Sequence, residues 1–280
     1  MKLLILGGKG MAGHMLASYF HAYSTFDVYT TSRGHSESDH QLYLDVTRTT
    51  DVEAVIDKVQ PDIVINCVGI LNEHASSNTK LAFQVNSLLP QALAGIMEKR
   101  GGRLIHISTD CVFLGDKGGY TEEDITDGTS IYAQSKQLGE VSSPPHLTVR
   151  TSIIGPELKQ DGIGLFLWFM EQTGTIKGFS NVYWNGVTTL ELAKAIHQMI
   201  QEDIQGLYHL GMPQAVSKYE LLSLIKEVFH KDDISIISDD VEKLDRTVQT
   251  VRKDFSYLFP TYKEMLIELK AEMERMKERE

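Results

Sequence analysis

The sequence predicts an α/β protein built on a doubly wound parallel sheet. Short apolar runs rich in β-branched residues alternate with longer segments of helical period along residues 1–210. This alternation is the pattern expected of a parallel sheet covered by helices on both faces. A glycine-rich turn directly follows the first apolar run. In such folds ligands bind at the carboxyl edge of the strands.

The elements follow in order from these periods. Strands are predicted at residues 2–6, 26–31, 41–44, 62–68, 102–108, 146–153 and 206–210. Helices are predicted between them at residues 13–22, 50–59, 79–99, 130–141 and 188–203. Thr50 and Ser130 are expected to cap two of these helices, because a side-chain hydroxyl can accept from the first free backbone N–H groups.

The alternation loosens after residue 155. A helix is expected near 163–173, another near 217–229, a short strand near 234–238, and a terminal amphipathic helix after them. We therefore predict a sheet domain at residues 1–155, to which residues 182–212 return. A small α/β lobe is predicted from residues 156–181 and 213–280, and it would bind the substrate. Core packing or a subunit contact explains the apolar stripe of the terminal helix better than a cofactor-binding role does, and this helix is a candidate contact for a homodimer.

Composition excludes several classes of function. The chain has 280 residues, 42% of them apolar, and a formal net charge of −11, which would repel nucleic acid. It shows no secretory leader and no apolar stretch long enough for a bilayer. With two cysteines we expect a reduced, cytoplasmic protein that does not act at a membrane. The ten histidines have no metal-ligand spacing, so no metal is expected.

The glycine turn predicts a dinucleotide site. Gly7, Gly10 and Gly13 follow a strand and open a helix, so bare backbone and helix dipole both favour a pyrophosphate. Met11 and Ala12 complete this cofactor-binding segment. Gly8 offers a second register with Gly10 and Gly13, and the sequence does not choose between them. The alternative without a binding role is that the glycines only form a tight turn between strand and helix.

The ends of the next strands predict the rest of the cofactor site. The second strand ends without the carboxylate that binds the ribose of NAD, whereas Ser32 and Arg33 could hold a 2′-phosphate. We therefore expect NADPH to be preferred, with NADH as the alternative if Arg33 is only a solvated loop residue. The adenine is expected near Asp45 and Val46, and the nicotinamide half near a segment after the fourth strand made of Cys67, Val68 and Gly69.

A second signature predicts the chemistry. Tyr132 and Lys136 are four residues apart and share one face of a helix, while Thr109 lies at the end of the fifth strand. These three residues are predicted to form the catalytic set, with Tyr132 and Lys136 also contacting the cofactor. Lys136 is expected to lower the pKa of Tyr132, so that the phenol can transfer a proton to a carbonyl oxygen. The alternative without a catalytic role is that Tyr132 and Lys136 are an exposed pair on the helix surface.

These motifs, together with Ser108 to Phe113 and Gly139-Glu140, resemble the extended short-chain dehydrogenase/reductase superfamily. Within it the chain is similar to the dTDP-4-dehydrorhamnose reductase family. The resemblance implies a Rossmann domain with a small sugar-nucleotide lobe. It also implies NADPH-dependent reduction of a 4-keto-6-deoxyhexose carried by a nucleoside diphosphate, in deoxysugar or cell-surface polysaccharide biosynthesis. Asn86 is implied to have a structural or proton-relay role.

The same resemblance implies a substrate site at Thr109, Asp110, Cys111, Trp184 and Arg246. Departures from the family pattern at Cys111 and at Trp184-Asn185-Gly186, and a loosely similar loop around Arg246, leave the sugar open. An N-acetylated 4-keto sugar on UDP is one alternative.

Two further alternatives remain from the same resemblance. An epimerase can use the same tyrosine and lysine with a cofactor that is recycled rather than released. A non-catalytic NADP-binding regulatory subunit is similar to these reductases in sequence. A dehydratase is not expected, because Asp110 is followed by Cys111 and not by a second carboxylate.

Overall fold

A computed structural model describes residues 1–34, 38–158 and 162–279 of the chain. Its strands in chain order are β1 (Lys2–Leu6), β2 (Asp27–Ser32), β3 (Gln41–Tyr43), β4 (Ile63–Asn66), β5 (Arg103–Thr109), β6 (Leu147–Thr151), β7 (Ile153–Ile154), β8 (Gly174–Phe179), β9 (Val182–Trp184), β10 (Val187–Thr188), β11 (Gly206–His209), β12 (Val216–Ser217), β13 (Ile234–Asp239) and β14 (Leu244–Asp245).

The helices surround these strands. They are α1 (Met11–Tyr23), α2 (Thr49–Val59), α3 (Asn72–Ser77), α4 (Thr79–Phe83), α5 (Leu89–Lys99), α6 (Ile131–Leu138), α7 (Leu165–Glu171), α8 (Thr189–Gln201), α9 (Lys218–Phe229) and α10 (Tyr262–Arg279). A π-helical turn, Gln84–Leu88, joins α4 to α5, and a 3₁₀ turn, Asp110–Val112, follows β5. Within the described residues no helix is long and apolar enough to cross a membrane.

The main sheet is parallel, and in the described chain it has the strand order β11-β6-β5-β4-β1-β2-β3. The chain runs outward from β1 to β3 and then returns to β4, which pairs with the other side of β1. This reversal opens a crevice at the carboxyl ends of β1 and β4, which is where ligands bind in such sheets. The predicted doubly wound Rossmann sheet is confirmed.

Both faces of the sheet are covered. Successive side chains of a strand point to opposite faces, so Leu3 and Ile5 join one apolar cluster while Leu4 and Leu6 join another. All four are fully buried, and burial of each side chain contributes about 1.5–3 kcal/mol to the stability of the fold. The first cluster includes side chains of α1 and α8, and the second includes side chains of α2 and α5. The fully apolar strands of the sequence are explained by this double coverage.

The remaining elements form smaller sheets beside the main one. β8 pairs in parallel with β13, and β9 lies between β12 and β14. Helix α9 begins with a capping box, in which Ser217 and Glu220 bond each other's backbone N–H groups. Helix α10 buries Tyr262, Met265, Leu266 and Leu269 in the core, so its apolar stripe takes the first of the two roles expected for it. The division into two lobes stays a prediction.

Three local predictions need correction. The helix expected at 79–99 is divided into α4, the π-helical turn and α5, and the strand expected at 146–153 is divided at Ser152. The capping prediction for Thr50 is wrong, because α2 begins at Thr49 with Arg48 at the cap position and no side-chain bond. The prediction for Ser130 is confirmed, since its hydroxyl accepts from the Ala133 N–H at 3.0 Å.

Candidate active site

The glycine turn lies at the crevice between β1 and β4. Gly7 has φ +83°, a conformation that side chains disfavour, and its carbonyl accepts from the Gly10 N–H at 2.8 Å. A Cβ on Gly13 would lie 2.1 Å from the Gly7 oxygen. Of the two registers, the structure therefore has the one in which Gly7 makes the tight turn and Gly10 and Gly13 follow it. Gly8 is constrained for a different reason, because its Cβ would meet the side chain of Thr30 at 2.7 Å.

Gly13→Ala is therefore expected to push α1 away from β1 and to weaken NADPH binding by about tenfold or more, because the pyrophosphate-binding backbone moves. The matched control is Gly95→Ala in the interior of α5, where an added Cβ meets nothing within 4 Å. That variant should bind NADPH as the unaltered protein does and gain up to about 1 kcal/mol of stability. Fluorescence titration and urea unfolding measure both effects, and equal affinities for the two variants would contradict the expectation.

Two adjoining cavities form a groove along this edge. One, of about 330 Å³, is lined by Gly7, Ser32, Arg33, Asp45 and Val46. The other, of about 400 Å³, is lined by Met11, Ala12, Thr109, Tyr132 and Lys136. Both share a wall formed by Lys9, Gly10, Cys67, Val68 and Gly69. A dinucleotide bound as the sequence predicts would have its adenosine half in the first cavity, its nicotinamide half in the second and its pyrophosphate at the glycine turn between them; the first is therefore called the adenosine cavity and the second the nicotinamide cavity.

The adenosine cavity has two cations at its rim. Arg33 is exposed, and the ammonium of Lys9 lies so close to Gly34 that a Cβ there would meet it at 3.5 Å. The Asp45 carboxylate accepts from the backbone N–H and the hydroxyl of Thr47, and these bonds lower the pKa of Asp45. Lys9 was missed by the sequence analysis, although its place inside the glycine run was a usable signal.

The predicted catalytic residues line one cavity. Thr109 ends β5, and α6 presents Tyr132 and Lys136 to the same space. The Thr109 hydroxyl donates to the Asp110 carboxylate at 3.1 Å and accepts from the Cys111 N–H at 3.1 Å, so its position is fixed by its own turn. The cap at Ser130 fixes the start of α6, which sets the direction of the Tyr132 side chain.

The protonation of this pair differs from the expectation. Burial raises the pKa of Tyr132 above its ordinary value, a nearby Cys111 adds to this, and the hydrogen bond with Thr109 opposes it. Lys136 is 3% exposed and bonds the Ile107 carbonyl at 2.7 Å. The prediction that Lys136 lowers the pKa of Tyr132 is wrong for this structure, because burial of the phenol dominates and the Lys136 nitrogen bonds other groups. Burial also lowers the pKa of Lys136 itself to about 8.

Two residues beneath Lys136 were missed. The His106 ring lies 3.2 Å from the Lys136 nitrogen and 3.2 Å from the Asn66 amide, and both His106 and Asn66 are fully buried. The partners of His106 are 30 and 40 residues away in sequence, so no local pattern could indicate them.

Asn86 lies in the π-helical turn and ties α6 to the loop after β4. Its carboxamide oxygen accepts from the Ile70 N–H at 2.8 Å, and its amide donates to the Ile70 carbonyl and to the Ser135 hydroxyl, both at 2.9 Å. Asn86 is fully buried. These contacts suit the structural role that the resemblance implied, because they hold the helix that carries Tyr132.

The predicted substrate residues are divided between the cavity wall and the layer behind it. Asp110 and Cys111 line the nicotinamide cavity. Trp184 is 3% exposed and donates to the Ser152 hydroxyl at 2.9 Å, so it lies behind Ser152, which does line the cavity. Arg246 donates to the Phe113 carbonyl at 2.9 Å and contacts the Cys111 sulfur at 3.8 Å, so it supports the turn that carries Cys111.

Lys218, at the start of α9, is a cation close enough to interact with Asp110, and the sequence analysis missed it. Its ammonium lies 5.3 Å from the centre of the Trp184 ring. Burial lowers the pKa of Lys218 to about 8, and Asp110 opposes this shift. Burial raises the pKa of Asp110, while Lys218 and Arg246 oppose that shift. In the part of the chain that the structure describes, no group of three or more His, Cys, Asp or Glu side chains is placed to hold a metal ion.

The Rossmann sheet, the glycine turn and the convergence of Thr109, Tyr132 and Lys136 define an extended short-chain dehydrogenase/reductase. Comparison with known proteins agrees, because the family model described as RmlD substrate binding domain matches residues 1–258. The chain belongs to this family.

Several relatives have assigned activities. The chain is 30% identical to a probable low-salt glycan biosynthesis reductase of Haloferax volcanii, over 76% of this chain and 74% of the relative. It is 26% identical to a dTDP-4-dehydrorhamnose reductase of Aggregatibacter actinomycetemcomitans, over 78% and 76% of the two chains. A dTDP-4-dehydrorhamnose reductase from Bacillus anthracis, solved in complex with NADP, has the same fold, with a TM-score of 0.80, 20% identity and coverage of 97% and 99%.

Proposed function

We propose that this protein is an NADPH-dependent reductase of the 4-keto group of a nucleoside-diphosphate-linked 4-keto-6-deoxyhexose, acting in deoxysugar or cell-surface polysaccharide biosynthesis. The observation that carries the proposal is the meeting of Thr109, Tyr132 and Lys136 in a cavity that continues into the glycine-turn groove. The activities named for its relatives support the same substrate class.

When bound in this groove, NADPH would supply the hydride that reduces the carbonyl carbon of the sugar. The residues of the chain handle the proton and the charge. Because burial raises the pKa of Tyr132, the phenol stays protonated at neutral pH and can donate its proton to the oxygen as negative charge develops there. When the Thr109 hydroxyl turns its proton from the Asp110 carboxylate to this oxygen, it stabilises the negative charge that develops there.

The adenosine cavity suits NADPH better than NADH. Strand β2 ends at Ser32 and is followed by Arg33 and Gly34, so none of these three residues offers a carboxylate to the ribose, and the Arg33 and Lys9 cations at the rim would attract a 2′-phosphate. Arg33→Ala is expected to raise the Kd for NADPH by about tenfold or more and to leave the Kd for NADH unchanged. Arg100→Ala is the control, because Arg100 pairs with Asp57 and is not part of the groove lining. Equal weakening of both cofactors by Arg33→Ala would contradict a 2′-phosphate site.

A substrate panel tests the proposed function directly. The purified protein is incubated with NADPH and with dTDP-, UDP- and GDP-linked 4-keto-6-deoxy sugars, including an N-acetylated UDP sugar, and the loss of NADPH absorbance is followed. We expect one NADP to form for each sugar reduced. Product without net NADP would indicate an epimerase instead, and no turnover with any sugar would leave only the regulatory-subunit interpretation.

The setting of this activity is also a proposal. We place the enzyme in the cytoplasm, a reducing compartment that suits its two free thiols, Cys67 and Cys111. Its partner is the nucleotide sugar, and a homodimer is the assembly that sedimentation analysis should test.

A further inference from the structure

A chain of three buried polar side chains runs beneath the catalytic lysine. Asn66 ends β4, His106 lies within β5 and Lys136 lies on α6, and their exposed fractions are 0%, 0% and 3%. The Asn66 amide nitrogen is 3.2 Å from His106 Nδ1, and His106 Nε2 is 3.2 Å from Lys136 Nζ. Lys136 Nζ is also 2.7 Å from the Ile107 carbonyl oxygen.

The donors and acceptors in this series of hydrogen bonds are fixed at the Asn66 end. A backbone N–H can only donate, and that of Val68 lies 3.1 Å from Asn66 Oδ1. The Asn66 oxygen therefore faces Val68, and its NH₂ group faces His106 and donates to Nδ1. A neutral imidazole carries one proton, so with Nδ1 accepting, the proton of His106 lies on Nε2. Complete burial lowers the pKa of His106 well below its ordinary value, which keeps the ring neutral.

The protonated Nε2 then faces Lys136. An ammonium group has only donors, so a charged Lys136 would place two donors 3.2 Å apart. A neutral amine has a lone pair that accepts from His106 Nε2–H, and it still donates to the Ile107 carbonyl. We propose that Asn66 fixes the tautomer of His106 so that His106 donates to Lys136 and favours its neutral amine. His106 and Asn66 are thus positioning residues that act through Lys136.

The other titratable groups around Lys136 fit this arrangement. Glu140, two residues beyond the end of α6, favours the charged lysine, but its carboxylate is paired with Arg150 and bonded by Ser108. Cys67, after β4, is buried, and burial raises the pKa of its thiol to about 12, so it brings no charge. Burial of Lys136 and the donor from His106 therefore act in the same direction.

The consequence for turnover rests on the proposed function. After Tyr132 has given its proton to the sugar oxygen, the phenolate must regain one. Protonated Lys136 lines the same cavity and can return this proton through an intervening water. An N–H bond of Lys136 breaks and an O–H bond of Tyr132 forms, with no change in oxidation state. The lysine is left as the neutral amine that His106 stabilises, and water returns a proton to it. Without the hydrogen bond from His106, which Asn66 orients, Lys136 would release its proton less readily.

The tautomer can be measured in the protein without substrate. Proton–nitrogen NMR of the histidine rings distinguishes the two tautomers, and the chain contains a reference for each. His146 Nδ1 accepts from the Leu104 N–H, which forces its proton onto Nε2. His209 Nε2 accepts from Arg150, which leaves the proton on Nδ1, facing the Tyr120 carbonyl. We expect His106, assigned from its absence in His106→Gln, to match His146. A match to His209 would overturn the proposal.

The link to Lys136 is tested by the pH profile of reduction. Protonated Lys136 is lost as the pH rises through its pKa, so kcat should fall above about pH 8. Asn66→Ser replaces the obligate donor by a hydroxyl that can also accept, without adding charge. We expect it to move this fall upward by about one pH unit. The control His146→Gln removes an equally buried ring and should leave the fall in place.

An unmoved profile in Asn66→Ser would show that Asn66 does not act through Lys136. The NMR result uses only the unaltered protein and one assignment variant. It therefore stands even if the serine variant fails to fold or the proposed activity is wrong.

Discussion

Tyr132→Phe is expected to lower kcat for reduction of the 4-keto sugar by about 10²- to 10⁴-fold, the usual contribution of one positioned general acid. The variant keeps the ring that packs against the cavity wall and removes only the hydroxyl that supplies the proton. Binding of NADPH should change little, because the pyrophosphate and adenosine contacts come from the glycine turn and the adenosine cavity. Stopped-flow absorbance for the chemical step and a fluorescence titration for NADPH give the two quantities.

Tyr43→Phe provides the matched control for this prediction. Tyr43 lies on β3 with 55% of its surface exposed, and its hydroxyl bonds no other group in the described structure. Its loss should leave kcat unchanged. If Tyr132→Phe retained full kcat, the proton would have to come from another group, and the role of Tyr132 as general acid would be contradicted.

Glu140→Gln is expected to destabilise the fold by about 3–5 kcal/mol, because it leaves a buried arginine without its countercharge. The Glu140 carboxylate accepts from Arg150 Nε and Nη2, each at 2.7 Å, and from the Ser108 hydroxyl at 2.7 Å. The exposed fractions of the two ionic side chains are 10% and 7%. Arg150 also donates to His209, so the cluster joins β5, β6, β11 and the end of α6. Urea unfolding should show the loss as a lower midpoint.

Lys263→Met is the control for that measurement. Lys263 pairs with Glu227 at the surface, with both side chains about half exposed, and such pairs contribute about 0–1 kcal/mol. A loss in Glu140→Gln no larger than in this control would show that the buried cluster does not stabilise the sheet. Replacing Glu140 and Arg150 together by apolar residues should restore part of the stability, since no unpaired charge then remains buried.

Much of the fold and part of the candidate site could be predicted from local patterns. The strands were found because the sheet is covered on both faces. Leu3 and Leu4 point to opposite faces and are both buried, so the whole run is apolar. Tyr132 and Lys136 were placed together because four residues span about one helical turn. The Thr50 cap failed because a cap depends on where the preceding loop enters the helix, and the α2 loop enters at Arg48.

By itself the sequence determined the order along the chain of the strands in the main sheet, the glycine turn and the candidate residues Thr109, Tyr132 and Lys136, because these follow from apolar runs, helical periods and motif spacings within short segments. Only the tertiary structure decided that Gly7 makes the turn, that Trp184 lies behind Ser152 and that His106 lies beneath Lys136. It also decided that burial raises the pKa of Tyr132 and lowers that of Lys136. The physical reason is that desolvation and hydrogen-bond direction depend on neighbours brought together from distant parts of the chain.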